Sequence, residues 1–267
     1  MTSSPPAFAF RRSRVPDRAR LRLENAVAIR LRRRARTGET MNYTFEFADV
    51  LAAWPRLLEG ALYTAQLSAA AIVLGFALGT LSAIVRHQRI PYLRRIVAAY
   101  VEGIRNTPFL VQAFLVFFGL STLGLRLSAG VSAVLALTLN VGAYTCEIMR
   151  AGLDSIHRSQ IEAAESLGMT RPSIYWHVVL LPAIERVYPS LTSQFVLLML
   201  SSSITSQISA EELTGIANVI QGETFRSFEV YIIVGVLYLV LSFVFRIGFW
   251  LISRVIFPRK RLLGTSI

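Results

Sequence analysis

The feature that most limits what this chain can fold into is a succession of long apolar stretches over most of its length. A helix of about 20 apolar residues crosses a hydrocarbon core about 30 Å thick, and inside that core the backbone must satisfy its own amides and carbonyls. The expected fold is therefore all-α, a polytopic membrane protein of about five transmembrane helices. The segments fall near residues 60–85, 97–120, 128–149, 181–208 and 229–257. With 54% hydrophobic residues, 16% charged residues and a mean hydropathy of +0.51, the 267-residue chain is too apolar for an ordinary soluble domain. Its single cysteine, Cys146, excludes an intrachain disulfide, so helix packing must hold the fold, and Cys146 itself reads as a small packing residue.

The formal charge of +12 is unevenly placed. Residues 1–40 hold eleven arginines against Asp17, Glu24 and Glu39, a net +8, which leaves +4 for residues 41–267. This arm has no apolar core of signal-peptide length, so it does not read as a secretory signal, although its composition also matches an organelle transit peptide. Two parts are expected: an Arg-rich arm over 1–40, disordered or not translated, and a membrane domain over 41–267, with Met41 as the authentic start.

Short cytoplasmic loops carry the excess of Lys and Arg. Arg86, Arg89, Arg94 and Arg95 follow the first segment, Arg150, Arg158 and Arg171 follow the third, and Arg259, Lys260 and Arg261 end the chain. The connections after the second and fourth segments hold Arg126 alone and Glu211, Glu212 and Glu223 against Arg226, so these two are expected outside. That topology puts the C-terminus in the cytoplasm and makes the arm the one large violation of the rule.

Within the segments, Pro108 is expected to kink or begin a helix, because it lacks an amide proton and its ring clashes with the preceding turn. Glu102 and Arg105, three residues apart, read as a local ion pair. Glu147 is expected to face water or to pair with Arg150. Gly75 and Gly79 form a small face that lets another helix approach closely.

The long loop over about 155–180 contains Glu162-Ala163-Ala164-Glu165-Ser166-Leu167-Gly168, followed by Leu180-Leu181-Pro182. Glu162 to Leu167 are good helix formers, Gly168 can end that helix in a left-handed turn, and a second short helix can follow. Such an elbow, with small Ala163 and Ala164 beside charged Glu162 and Glu165, suits insertion into a cleft on another protein. These residues resemble the E-A-A-x-x-x-G signature of permeases in ATP-binding-cassette (ABC) importers, with a spacing from Gly168 to Pro182 one residue longer than the family's. The resemblance implies that Glu162, Ala163, Ala164 and Gly168 couple the chain to an ABC ATPase through a cytoplasmic loop.

The likeness extends over about Leu57 to Val255. Arg105-Asn106-Thr107-Pro108-Phe109-Leu110-Val111-Gln112 and Gly142-Ala143-Tyr144-Thr145-Cys146-Glu147-Ile148-Met149-Arg150 resemble stretches of polar amino acid permeases, as do Glu212-Leu213 and Thr224 to Tyr231. The resemblance implies import of a polar amino acid through the bacterial inner membrane. It also implies ABC ATPase subunits, a periplasmic solute-binding protein, a second permease subunit (the same chain or a related one) and membrane lipid as partners. Many of that group carry a K-D-T-S-L-like stretch where this chain has Leu200 to Gln207, without the charged pair. The hydroxyls of Ser202, Ser203, Thr205 and Ser206 can line a polar pathway or bond between helices.

No phosphate-cradling loop is present, and the three histidines fall at loops rather than at metal-ligand spacing, so the chain reads as a non-enzyme without metal, cofactor or nucleic acid. ATP is used by a partner. The competing classes are an ion-gradient-driven secondary transporter, which usually shows more crossings and repeats, and a non-transporting assembly factor. An ABC permease for another small solute, such as an opine, is the nearer alternative.

Overall fold

A computed structural model describes residues 43–88 and 90–257. The arm expected over 1–40, Arg89, and the basic tail residues Arg259, Lys260 and Arg261 lie outside the described residues. Residues 43–45 belong to a separate unit, in which the Tyr43 and Phe45 rings meet edge to face at 5.2 Å. From Glu46 onward the described chain forms nine helices and no strand: α1 (Ala48–Ala52), α2 (Trp54–His87), α3 (Leu93–Arg105), α4 (Phe109–Thr122), α5 (Ala129–Asp154), α6 (Arg158–Ser166), α7 (Arg171–Ile208), α8 (Leu213–Thr224) and α9 (Ser227–Ile256).

Helices α2, α5, α7 and α9 are each long and apolar enough to cross a bilayer. The expected second crossing, 97–120, is not one straight helix: α3 and α4 meet at 114° across Asn106-Thr107-Pro108, giving four spans, or five if the bent pair counts as one. The physical cause is Pro108, which has no amide to donate and disfavours helical geometry at the residue before it. It sits at φ −62° and ψ 139°, just ahead of α4. Buried Gln112 closes the break. Its side-chain amide reaches the carbonyls of Ile104 (2.7 Å) and Thr107 (3.0 Å), and its own oxygen accepts from Asn140 of α5 at 2.8 Å. Backbone groups freed inside a membrane must be re-satisfied, and this glutamine does so from the same octapeptide that carries the proline.

The fourth segment is also longer than expected, beginning at Arg171 rather than near 181. Pro172 occupies its first turn, where a missing amide costs nothing. Pro182 and Pro189 lie further in, and the helix widens to a π turn over Tyr175–Leu180 just before the first of them. It tightens to a 3-10 turn over Ser202–Ile208.

The closest packing is between α2 and α5. A Cβ on Gly75 would lie 2.1 Å from Val141 Cγ1, and one on Gly79 would lie 2.5 Å from Thr145 Cβ and 2.6 Å from the Gly142 carbonyl. The Gly75/Gly79 face therefore serves an intrachain helix pair, held by van der Waals contact that any side chain would push apart. Leu137, Cys146, Met149 and Leu191 are buried around this seam, which gives Cys146 a packing role. Helix α9 instead exposes Val236, Leu239, Val240, Phe243 and Ile247, an apolar surface suited to lipid.

Candidate functional site

The segment between α5 and α7 forms an elbow. His157 precedes α6, its ring nitrogen accepting from the Ser159 amide at 3.3 Å, and α6 runs only to Ser166. Gly168 takes φ +72°, the left-handed conformation that glycine adopts without a Cβ penalty. The Gly168 amide donates to Glu165 O (2.9 Å) and the Met169 amide to Ala164 O (3.2 Å), the paired bonds of a Schellman turn that satisfy the last carbonyls of α6.

Of the four residues expected to meet an ATPase, Glu162, Ala163 and Gly168 are exposed, and open space surrounds the position of a Cβ on Gly168. Ala164 faces the other way, only 4% exposed and packed within its own chain. At the tip stands Leu167, 81% exposed, an apolar side chain that the small-residue pattern did not single out. Glu162 pairs with Arg158 one turn earlier at 3.0 Å, a solvent-facing pair worth little to the fold.

The base of the elbow is fixed by charge. Arg86 of α2 and Arg150 both bind Glu147 of α5, the second at 2.9 Å, and Arg150 also reaches Asp154 at 3.0 Å. His87 stands 3.3 Å from Asp154. Glu147 thus pairs with Arg150 as expected and in addition joins α5 to α2, a link invisible in sequence because the partners are far apart in the chain. Arg186 of α7 donates to the Ser155 carbonyl and, at 3.1 Å, to its hydroxyl, capping α5 where the elbow begins. The histidines are not all in loops: His87 ends α2 and His177 lies inside the π turn of α7.

The hydroxyl run occupies the 3-10 end of α7. Ser202, Ser203, Thr205 and Ser206 donate to the carbonyls of Met199, Leu200, Ser202 and Ser203 at 2.6 to 2.8 Å. Ser202 and Thr205 are fully buried, while Ser203 and Ser206 are half-buried with acceptor lone pairs to spare. Packing of this turn against α4 places it beside the break in the second span. There, Glu102 and Arg105 do not pair with each other. Arg105 lies over the Tyr144 ring, 5.5 Å from its centroid, where the ring face attracts the guanidinium.

The end of the molecule opposite the elbow holds buried Glu212, which accepts from the Thr214 (3.0 Å) and Gly215 (2.8 Å) amides at the start of α8 and from the Tyr238 hydroxyl (2.7 Å). Burial pushes its carboxyl above the usual range despite these donors. Arg56 grips exposed Glu223 at 2.6 and 3.2 Å, and that hydrogen bond holds the Glu223 carboxyl below its ordinary value. An open cleft of about 540 Å³ lies at the same end, lined by Glu59, Tyr63, Gln66, Ser128, Ser209 and Glu211 among others.

Comparison with known proteins fits this architecture. Residues 65–257 match the family described as binding-protein-dependent transport system inner membrane component. The octopine transport system permease protein OccM of Rhizobium radiobacter is 35% identical over 214 residues, covering 77% of this chain and 87% of the relative. The probable glutamine ABC transporter permease protein GlnM of Bacillus subtilis (strain 168) is 37% identical over 191 residues, covering 72% and 88%. The crystal structure of an amino acid ABC transporter with histidines superposes with a TM-score of 0.72 at 34% identity, over 79% of this chain and 99% of that one. With its fold, its break and its elbow in the same chain, the protein belongs to the binding-protein-dependent transport system inner membrane component family, as a multi-pass ABC transporter permease and not an enzyme.

Proposed function

We propose that this permease carries a polar amino acid, or a close derivative such as an opine, into the cell, driven by ATP that a separate ABC ATPase hydrolyses. The observation that carries the energy-coupling half of this reading is the elbow: a short helix ended by left-handed Gly168, tipped by exposed Leu167 and braced at its base by Arg186 and the Glu147 ion cluster. Glu162, Ala163, Leu167 and Gly168 form the surface that enters the ATPase, and Ala164 supports it from inside. The positive-inside bias of the arginines near this end supports a cytoplasmic elbow and C-terminus. Solute identity rests on relatives named for glutamine, octopine and, in solved form, an amino acid transporter.

A periplasmic solute-binding protein delivers ligand to the opposite end, and two permease subunits enclose the path. ATP binding draws the ATPases together, the docked elbows follow, and the bundles switch the path from inward to outward facing. The ion-gradient alternative is not favoured, since the relatives are ABC permeases. Co-expression with an ABC ATPase and a solute-binding protein tests the partnership: a stable complex stimulated by loaded binding protein supports it, and a permease that purifies alone under all conditions contradicts it.

On the path itself, Ser203 and Ser206 are the hydroxyls with room to meet solute. Valine at either is expected to lower uptake about fivefold, the effect of about one hydrogen bond, while the complex assembles normally. Valine at buried Ser202 or Thr205 should instead lower the yield of folded subunit. Full uptake by the Ser203→Val/Ser206→Val double variant would leave these groups purely structural.

A further inference from the structure

We propose that Glu102 and Arg105, at the broken second span, bind the ammonium and carboxylate groups of a zwitterionic amino acid as it crosses the membrane, an assignment that rests on the importer reading above.

The Tyr100 hydroxyl donates to the Leu139 carbonyl at 2.6 Å, and the Arg105 guanidinium stands over Tyr144. Leu139 and Tyr144 lie in the middle of the 26-residue α5, about 15 Å along the helix from its N-terminus and its C-terminus respectively. The last two turns of α3 therefore sit at the level of the membrane centre rather than at its surface.

At that depth a charged side chain is costly unless it meets a partner or a water-filled path. Glu102 and Arg105 are both exposed, and neither has an ion-pair partner among the described residues. Two charges of opposite sign, without an ion-pair partner among the described residues, thus share one exposed face of a helix, three residues apart.

Their chemistry selects the ligand. A guanidinium offers a planar fork that matches a carboxylate through two parallel hydrogen bonds, and a carboxylate accepts from an ammonium group. An amino acid presents both groups on adjacent atoms. The hydroxyl run of α7 holds no fixed charge, and its 3-10 turn packs on α4 just past the break, so fixed charge near the break comes from α3. Asn106 and Thr107 are tied back to the carbonyls of Glu102 (2.8 Å) and Gly103 (2.9 Å), which keeps the end of α3 rigid while both charged groups remain available.

The test uses the intact transporter in liposomes, with its ATPase and solute-binding protein, and radiolabelled L-glutamine and L-arginine as probes. Glu102→Gln and Arg105→Gln are each expected to lower the uptake of a carried probe at least tenfold, with subunit assembly, binding-protein affinity and basal ATP hydrolysis unchanged. Arg105→Lys should recover part of the rate, because it keeps the charge and loses the fork. Wild-type uptake in both glutamine variants overturns the assignment. So does failure of those variants to assemble, which would make the charges a pairing element between permease subunits. If the unaltered transporter carries neither probe nor any amino acid its binding protein retains, the importer reading fails as well, and the two failures are thereby told apart.

Discussion

Replacing Gly79 with valine is expected to remove most of the folded permease from the membrane. The position of a Cβ on this residue overlaps Thr145 Cβ at 2.5 Å and the Gly142 carbonyl at 2.6 Å, so backbone as well as side chain would have to move. Overpacking of a close seam costs about 1–3 kcal/mol or more, and valine adds two further methyl groups. A domain with about 5–15 kcal/mol of stability loses much of its margin to such a change. Detergent extraction followed by thermal unfolding measures it: the yield should fall several-fold and the midpoint drop, whereas Gly248→Ala, where a Cβ meets nothing within 4 Å, should behave as wild type. An unchanged midpoint for Gly79→Val would mean that the α2/α5 seam is not packed as described.

The second large effect concerns coupling. Gly168→Val puts a β-branched side chain at φ +72°, which costs about 1–2 kcal/mol locally and re-aims the elbow. Glu162→Lys breaks only a solvent-facing pair with Arg158, so it should leave the fold intact. Both variants are expected to reach the membrane in normal amounts, to lose most copurifying ATPase and to lower ATP-driven uptake at least tenfold. Normal ATPase recovery and normal uptake in both would sink the docking role. The elbow would then be a simple connector between α5 and α7.

What was legible in the sequence follows the range of the interactions involved. Apolar length identified the spans, because the bilayer imposes it segment by segment. Gly168 as a left-handed terminus was legible because it is a local backbone preference. Pro108 marked a break, but a proline does not state an angle. The 114° bend depends on Gln112 and Asn140, and Asn140 comes from another helix. The Glu102–Arg105 pair was inferred from spacing alone, which cannot register the competing attraction of the Tyr144 ring on α5. Ala164 was grouped with its neighbours because side-chain direction on a nine-residue helix depends on what lies beneath it. The link from Arg86 to Glu147 joins residues 61 apart in the chain, beyond the reach of any local pattern.

The most direct test of the account is uptake of radiolabelled L-glutamine and L-arginine into liposomes holding this permease, its ATPase and its solute-binding protein, with ATP or an imposed ion gradient as the alternative energy source. Accumulation is predicted with ATP and loaded binding protein, and none with a proton or sodium gradient alone. Accumulation driven by an ion gradient in the absence of ATP and binding protein would contradict the account.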